Sequence, residues 1–237
     1  MESFVPGPGP ALWTCAEGTG HPVLFIPGGP GCCDYLEPVS SAVAGIRAIR
    51  FDPRGCGRSE QVANYRLTDA LGDIERLREH HGVERWVVAG HSAGADHALA
   101  YAFQHRDHVA GVVCLSGGRF NNDRLWHAAY SAARDAGLEP EIDFAYPPNM
   151  EVNAQLNAEW KAFIQRPTMF RELAEFDIPA LFIYGSEDIR PAWPMEQVAR
   201  LMPNARWELL QGANHNLWMT HRDEVGKLIG EFVTSVS

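Results

Sequence analysis

The chain alternates between two hydrophobic patterns. Six short apolar runs, rich in β-branched residues and bounded by glycine, proline or charge, are typical of buried parallel strands. They cover residues 22–27, 47–52, 85–90, 109–116, 179–184 and 205–210. Stretches with helical periodicity or alanine-rich composition lie between them, at 67–80, 92–103, 193–201 and 222–233. This alternation predicts an α/β fold, a mostly parallel sheet flanked by helices.

One interval breaks the alternation. Residues 119–178 carry many aromatic side chains, no convincing strand, and helical pieces at 123–136 and 152–165 with a short turn after Pro167. We predict a small helical cap (residues 119–178) inserted between two parts of a core, 1–118 and 179–237. Most aromatic side chains of the cap would pack it onto the core, and a minority would line a substrate pocket. The candidate substrate-binding residues are Trp126, Tyr130 and Trp160 of the cap and Trp218 of the core.

Composition narrows the classes of function. The 237 residues, 46% hydrophobic and 21% charged, suit one globular domain with an insertion. A net charge of −10 without a basic run makes nucleic acid and membrane surfaces poor partners. No apolar run reaches the ~20 residues of a membrane span, and the first ten residues lack a signal-peptide pattern, so we expect a cytoplasmic protein, monomeric or homodimeric. Five cysteines without metal-ligand spacing indicate free thiols.

The segment 86–94 carries the clearest chemical motif. It reads Trp-Val-Val-Ala-Gly-His-Ser-Ala-Gly, a strand followed by Gly-x-Ser-x-Gly and a helix, which is the context of a nucleophile elbow. Such a turn lifts Ser92 Oγ to the carboxyl edge of the sheet and points the Ala93 N–H toward a developing oxyanion. The alternative, a small-residue turn with a capping serine, fits the flanking strand and helix less well.

A second oxyanion donor is expected after the first parallel strand. There the chain reads Pro27-Gly-Gly-Pro-Gly31, and Gly29 is the candidate donor because glycine lets a backbone N–H approach a ligand closely. A plain turn is the alternative.

A serine nucleophile needs a base and an orienting carboxylate. His215 follows the last strand-like run, in Gly-Ala-Asn-His, and Asp188 follows the preceding one, in Gly-Ser-Glu-Asp, with Glu187 as its competitor. Both loops fall at the sheet edge where Ser92 emerges. Serine, aspartate, histidine is also the chain order of α/β hydrolases.

Metal sites are not expected. The pairs His80–His81 and His105–His108 lack the further carboxylate or thiolate that a metal would need nearby. We therefore predict neither a metal nor a cofactor. Cys32 and Cys33, beside the oxyanion loop, read more readily as partly buried structural residues than as reactive thiols.

These motifs together resemble the α/β-hydrolase superfamily, and more narrowly the proline iminopeptidases. The segment 27–31 resembles their His-Gly-Gly-Pro-Gly loop, Asp-Tyr-Leu follows at 34–36, and segment 52–59, Asp-Pro-Arg-Gly-Cys-Gly-Arg-Ser, resembles their Asp-x-Arg-Gly-x-Gly-x-Ser loop. The resemblance implies that Asp52 and Arg54 brace this loop beside the active site.

The chain departs from that family at several points. Pro27 replaces the histidine that anchors the oxyanion loop, so the loop must be held another way. The chain is also short, with a cap of about sixty residues. In the family, carboxylates of the cap hold the free amine of the substrate, and no glutamate here aligns with them. The candidates are Glu139, Glu141, Glu151 and Glu159.

The sequence thus predicts a serine hydrolase that cleaves an ester or amide bond of a small molecule or short peptide through an acyl-enzyme, as the resemblance to proline iminopeptidases implies. Two alternatives stay open. One is a carboxylesterase or lactonase acting on a small apolar acyl group. The other is a ligand sensor of the same fold without turnover.

Overall fold

The fold is built on an eight-stranded sheet. The computed structural model describes residues 1–120 and 123–237. The strands are β1 (Glu2–Val5), β2 (Leu12–Gly18), β3 (His21–Ile26), β4 (Ile46–Phe51), β5 (Trp86–His91), β6 (Val109–Leu115), β7 (Ala180–Gly185) and β8 (Ala205–Leu210). Their order is β1-β2-β4-β3-β5-β6-β7-β8, and β3 to β8 are mutually parallel. The six predicted runs are these six strands, which confirms the mostly parallel α/β fold.

Eight helices accompany the strands within the described residues. They are α1 (Glu37–Ser40), α2 (Leu67–His80), α3 (Ala93–Gln104), α4 (Arg124–Asp135), α5 (Met150–Ile164), α6 (Met169–Ala174), α7 (Trp193–Leu201) and α8 (Trp218–Val236). A short 3-10 turn spans Arg106–His108. Helices α4, α5 and α6 lie between β6 and β7, in the segment for which the sequence predicts a cap.

Side-chain caps fix where two of these helices begin. The Asp123 carboxylate accepts N–H bonds from Leu125 and Trp126 at 2.8 and 2.9 Å, as expected for an N-cap. Asn149 caps α5 in the same way, which is why α5 begins at Met150, two residues before the predicted start. The sequence pattern had indicated Val152, the first buried residue of the helix.

Both faces of the sheet are buried. Neighbouring residues of one strand, such as Val87 and Val88, point into different apolar clusters, and both are fully inaccessible to solvent. Helices cover the two sides, so these strands read as continuous apolar runs rather than as alternating ones.

The sequence pattern missed β1, β2 and α1. Strand β2 pairs antiparallel with both β1 and β4, at one edge of the sheet. Its residues, Leu-Trp-Thr-Cys-Ala-Glu-Gly, are not a β-branched run, so backbone pairing with β4 rather than local propensity makes them a strand. Helix α1 is a single turn of four residues and has no periodicity to detect.

The strand order positions the site. Strand β3 lies between β4 and β5, so the direction of winding reverses there and a crevice opens outside the carboxyl ends of β3 and β5. The Gly29 loop follows β3 and Ser92 follows β5. Among the described residues, no helix has the length and hydropathy needed to cross a bilayer.

Candidate active site

Ser92 occupies a strained turn between β5 and α3. Its φ and ψ are 54° and −123°, values that few residues other than glycine adopt. A Cβ on Gly90 would lie 2.1 Å from the Gly94 oxygen, and one on Gly94 would lie 2.1 Å from the Ile26 oxygen. Both glycines are therefore required by the close approach of backbone. This is the geometry of a nucleophile elbow.

Asp188 and His215 meet at the carboxyl edge of the sheet. His215 Nδ1 lies 2.7 Å from Asp188 Oδ2, and both side chains are buried, with 7% and 0% of their surface exposed. The Nδ1–H thus donates to the carboxylate and Nε2 is left for another partner. Glu187, the competitor, is exposed.

Ser92 lines the same cavity as His215. Within residues 1–120 and 123–237, Ser92 Oγ makes no hydrogen bond. The hydrogen bond from Ser92 Oγ to His215 Nε2 that the reaction requires is therefore not formed in this conformation. Such contacts are often long without substrate and tighten when one binds.

Gly29 and Ala93 lie beside Ser92 on a common cavity wall. Gly29 has a φ of +114°, which glycine adopts without strain. Ala93 is the first residue of α3, and the N–H groups of a helix start have no acceptor within the helix. Both residues therefore border Ser92, and their role as oxyanion donors stays a prediction.

A hydrogen-bonded chain holds the oxyanion loop where Pro27 replaces histidine. Tyr35 Oη accepts the Gly28 N–H at 2.8 Å and donates to His91 Nδ1 at 2.7 Å. His91 Nε2–H in turn donates to the His215 carbonyl at 3.0 Å. Burial, together with the nearby His215, lowers the pKa of His91 well below its usual value, which keeps the ring neutral and able to accept from Tyr35. The chain ties the oxyanion loop, the elbow and the His215 loop together.

Helix α5 holds the same loop from the other side. Asn153 Nδ2 donates to the carbonyls of Gly29 and Pro30, at 3.0 and 2.8 Å. The Asn149 N–H donates to the Gly31 carbonyl at 2.8 Å. The predicted cap is therefore bonded directly to the loop that carries Gly29.

Asp52 and Arg54 brace the neighbouring loop through different partners. The buried Asp52 carboxylate accepts from the Arg58 guanidinium at 2.7 and 3.1 Å and from the Asp34 N–H at 2.7 Å. Arg54 Nε donates to Asp73 of α2 at 2.6 Å. Both residues act on the loop, as the resemblance implies, but they do not pair with each other.

Ser92 stands between two cavity lobes of about 420 and 440 Å³. We call the first the basic lobe, since four cations line it: Arg119, Arg134, Lys161 and Arg190. We call the second the apolar lobe, after its lining of Pro30, Ile142, Phe144, Pro148 and Met150. Tyr130 lines both lobes and Trp126 lines the basic lobe, where the sequence places substrate contacts.

Trp160 and Trp218 do not line either lobe. Trp160 packs in the core against Phe120 and Phe163, and its Nε1–H donates to the Arg119 carbonyl at 3.3 Å. Trp218 lies behind the elbow, with its ring 4.8 Å from that of His91. Aromatic content alone did not distinguish these packing residues from pocket residues.

The candidate amine-binding glutamates are already engaged or exposed. Glu139 lines the apolar lobe, but it pairs with Arg190 and accepts from Tyr130 Oη at 3.3 Å. Glu141 is exposed, Glu151 accepts from Gln155 Nε2, and Glu159 accepts from a backbone N–H of α2.

The structure corrects one argument about the histidine pairs. A carboxylate does lie beside His105 and His108: Glu75 is 3.7 Å from the first and 3.2 Å from the second. It belongs to α2, thirty residues earlier in the chain. Burial acts to raise the pKa of Glu75, but hydrogen bonds from Arg78 and Tyr101 outweigh it and help lower the pKa to about 2. A cation there would therefore compete with the Arg78 guanidinium.

All five cysteines are buried and unpaired with one another. Burial raises the pKa of Cys32 to about 12 and also raises the pKa of Cys33. These thiols are therefore protonated at neutral pH and weakly reactive.

Known proteins resemble part of this chain in sequence and nearly all of it in fold. A curated proline iminopeptidase from Neisseria gonorrhoeae is 38% identical over 103 residues, which are 40% of this chain and 32% of that protein. The chain thus spans about a third of the length of the curated relatives it matches. Two solved structures share its fold over nearly all of both chains. The enol-lactonase from Burkholderia xenovorans LB400 has a TM-score of 0.79 at 21% identity, covering 98% of this chain and 100% of the other. An esterase from Thermogutta terrifontis has a TM-score of 0.77 at 23% identity, covering 100% and 99%.

A family model described as the alpha/beta hydrolase fold matches residues 21–139, which include the oxyanion loop, the elbow and the start of the predicted cap. The chain belongs to the α/β-hydrolase family.

Proposed function

We propose that this protein is a serine hydrolase in which Ser92 is the nucleophile, His215 the base and Asp188 the residue that orients His215. The observation that carries the proposal is the 2.7 Å contact between His215 and Asp188 in a cavity shared with an elbow serine. Membership in the α/β-hydrolase family supports it.

The reaction proceeds in two halves. Ser92 Oγ attacks the substrate carbonyl while His215 Nε2 takes its proton, and the N–H groups of Gly29 and Ala93 stabilise the oxyanion. The intermediate collapses when His215 returns the proton to the leaving alcohol or amine. Water, deprotonated by His215, then attacks the acyl-enzyme and releases the acid and free Ser92. Asp188 stabilises the imidazolium in both halves.

For the substrate we propose a small ester or lactone. An aminopeptidase needs a carboxylate that is free to bind the substrate's amine, and Glu139, which lines the apolar lobe, is neutralised by Arg190. Two solved structures with the same fold, a lactonase and an esterase, are consistent with this choice. The second candidate is a short peptide with a free N-terminal residue, favoured by the local identity to proline iminopeptidases.

The first experiment is intact-mass labelling with a fluorophosphonate. We expect one adduct on the wild-type protein and none on Ser92→Ala. Ser116→Ala is a matched control because Ser116 lines the same lobe and also has a positive φ of 49°, but should not be the nucleophile. Loss of the adduct in Ser116→Ala, or no adduct on folded wild-type protein, would contradict the assignment. The latter result would favour a ligand sensor.

A second experiment separates the substrate classes. Turnover of short 4-nitrophenyl esters is compared with turnover of proline and alanine arylamides. We expect the esters to be cleaved with a higher kcat/KM. A preference for proline arylamide would instead establish the aminopeptidase.

A further inference from the structure

The basic lobe differs in sign from the rest of the molecule. The protein has a net charge of −10, yet among the described residues four arginine or lysine side chains and one carboxyl, that of Asp96, line this lobe beside Ser92. Two of the cations are neutralised, since Arg134 pairs with Asp135 and Arg190 pairs with Glu139. The other two, Arg119 and Lys161, form no ion pair with any residue of the described part of the chain.

Arg119 is held in place without a charged partner. Its guanidinium lies 4.2 Å from the centre of the Trp126 ring, and its Nη1 is buried with no hydrogen-bond acceptor among the described residues. A buried guanidinium nitrogen without an acceptor costs free energy, so such groups in native proteins call for a ligand or a bound water. Trp126 fixes the orientation of this group before any ligand arrives.

Arg119 is far from the nucleophile along the chain but lines the same lobe. Gly117 packs against the elbow so tightly that a Cβ on it would lie 2.1 Å from the backbone carbonyl oxygen of Ser92. Arg119 follows two residues later, and its N–H donates to Asp96 of α3 at 3.1 Å. A group bound by Arg119 would therefore belong to the molecule whose carbonyl reaches Ser92.

Two titratable neighbours report on the charge of the lobe. The pKa of His127 is lowered by burial and by the positive charges of Arg119 and Lys161. Burial raises the pKa of Asp96 to about 7, so near neutral pH this carboxyl offsets only part of the positive charge. The remaining excess lies between one and two positive charges, which a singly charged carboxylate offsets without the surplus negative charge that a phosphate dianion would bring.

We infer that the substrate of this hydrolase carries a carboxylate, which binds Arg119 and Lys161 in the basic lobe while the apolar part of the substrate lies in the apolar lobe. This inference rests on the proposed function, because it places the carboxylate relative to a carbonyl at Ser92. The reaction is hydrolysis of an acidic ester or lactone. Water adds across the acyl–oxygen bond, and the original carboxylate takes no part in the bond changes.

The test uses matched pairs of esters that differ in one charge. Mono-4-nitrophenyl adipate is compared with its methyl ester, which places the charge on the acyl side. The butyrate of 3-hydroxybenzoate is compared with the butyrate of methyl 3-hydroxybenzoate, which places it on the alcohol side. We expect at least a tenfold higher kcat/KM for the acid in one pair.

Variants of the basic lobe test whether its cations cause the preference for the acidic ester. Arg119→Met should lower kcat/KM for the preferred acid about 10- to 100-fold and change the neutral ester less than about threefold, as expected for loss of a charged hydrogen bond. Lys161→Met should act in the same direction. Arg134→Met is the matched control, an arginine of the same lobe that is already paired, and should leave the ratio unchanged. Equal turnover of acid and neutral ester, or a ratio that Arg119→Met does not alter, would overturn the inference.

Calorimetric titration with adipate separates this inference from the proposed function. We expect adipate to bind the wild-type protein and Ser92→Ala alike, and to bind Arg119→Met at least tenfold more weakly. Adipate binding without turnover of any ester would retain the carboxylate site and refute the serine hydrolase. Ester turnover without acid preference or adipate binding would retain the hydrolase and refute the carboxylate site.

Discussion

The Tyr35 hydroxyl holds the oxyanion loop, in which Pro27 stands where the proline iminopeptidases have an anchoring histidine. Its oxygen accepts from the oxyanion loop and donates to His91, which in turn holds the carbonyl of His215. Tyr35→Phe would leave the Gly28 N–H without an acceptor and His91 Nδ1 without a donor. We expect kcat to fall about tenfold, because the Gly29 donor loses its fixed position, and the free energy of unfolding to fall by about 1–3 kcal/mol.

The control for this prediction is Tyr101→Phe. Tyr101 is also buried, and Tyr101→Phe loses one hydrogen bond to the Glu75 carboxylate where Tyr35→Phe loses two to uncharged groups. Tyr101 lies on the far part of α3 from Ser92. It should lose a similar amount of stability, measured by urea unfolding, and keep its kcat with a short ester. Equal losses of kcat in both variants would show that Tyr35 acts through stability alone.

At the scale of residues, the sequence predicts candidates where chemistry and chain order coincide. Ser92 has a local signature, and the places of Asp188 and His215 follow from their strands. The Tyr35–His91 chain and the unpaired Arg119 have no such signature, because each depends on residues that only the fold brings together. The same limit explains Glu75, whose approach to His105 and His108 depends on how α2 packs against α3.

At the scale of elements, α5 supports the catalytic loop. Asn153 is its contact with the carbonyls of Gly29 and Pro30. Asn153→Ala removes both bonds at a half-buried position, so we expect kcat to fall about tenfold or more with a loss of stability near 1 kcal/mol. Ester turnover and urea unfolding measure the two effects.

Gln155→Ala provides the comparison on the same helix. Gln155 anchors α5 to the Tyr65 N–H at 2.9 Å rather than to the oxyanion loop. A similar stability loss with nearly unchanged kcat is expected. If Gln155→Ala lowered kcat as much as Asn153→Ala, the effect would come from the placement of the whole helix.

The elements themselves were predicted to different degrees. The sequence predicts the parallel strands because burial on both sheet faces gives continuous apolar runs. It predicts helices α2 and α7 because burial on one helix face gives a helical periodicity of apolar residues. The sequence does not predict strands β1 and β2, since backbone pairing rather than a residue pattern defines this antiparallel edge. Helix α8 begins at Trp218, before the predicted Arg222, and the break at His221, with φ −128° and ψ 34°, separates its first turn from the amphipathic part.

For the whole molecule, buried titratable groups predict how stability depends on pH. Burial lowers the pKa of His97 to about 4 and that of His91 well below its usual range. In the unfolded chain both return to about 6.5, so between about pH 5 and 6 the unfolded state binds up to two more protons. Asp96 opposes them, since its raised pKa of about 7 means that the folded state binds one proton that the unfolded state does not.

The net difference from these three groups is about one proton, and His81, whose pKa partial burial lowers to about 4, adds to it. The free energy of unfolding should therefore fall by at least about 1.4 kcal/mol per unit as the pH drops through this window. Asp96→Asn removes the opposing group, while its amide oxygen can still accept from the Gly118 and Arg119 N–H groups. We therefore expect its slope to exceed that of the wild type by about 1.4 kcal/mol per pH unit, and Glu187→Gln, at an exposed carboxylate, to leave the slope unchanged. Urea unfolding at pH 5, 5.5 and 6 measures all three. Parallel curves for Asp96→Asn and the wild type would mean that Asp96 stays ionised in the fold, and a larger share of the positive charge in the basic lobe would then be neutralised.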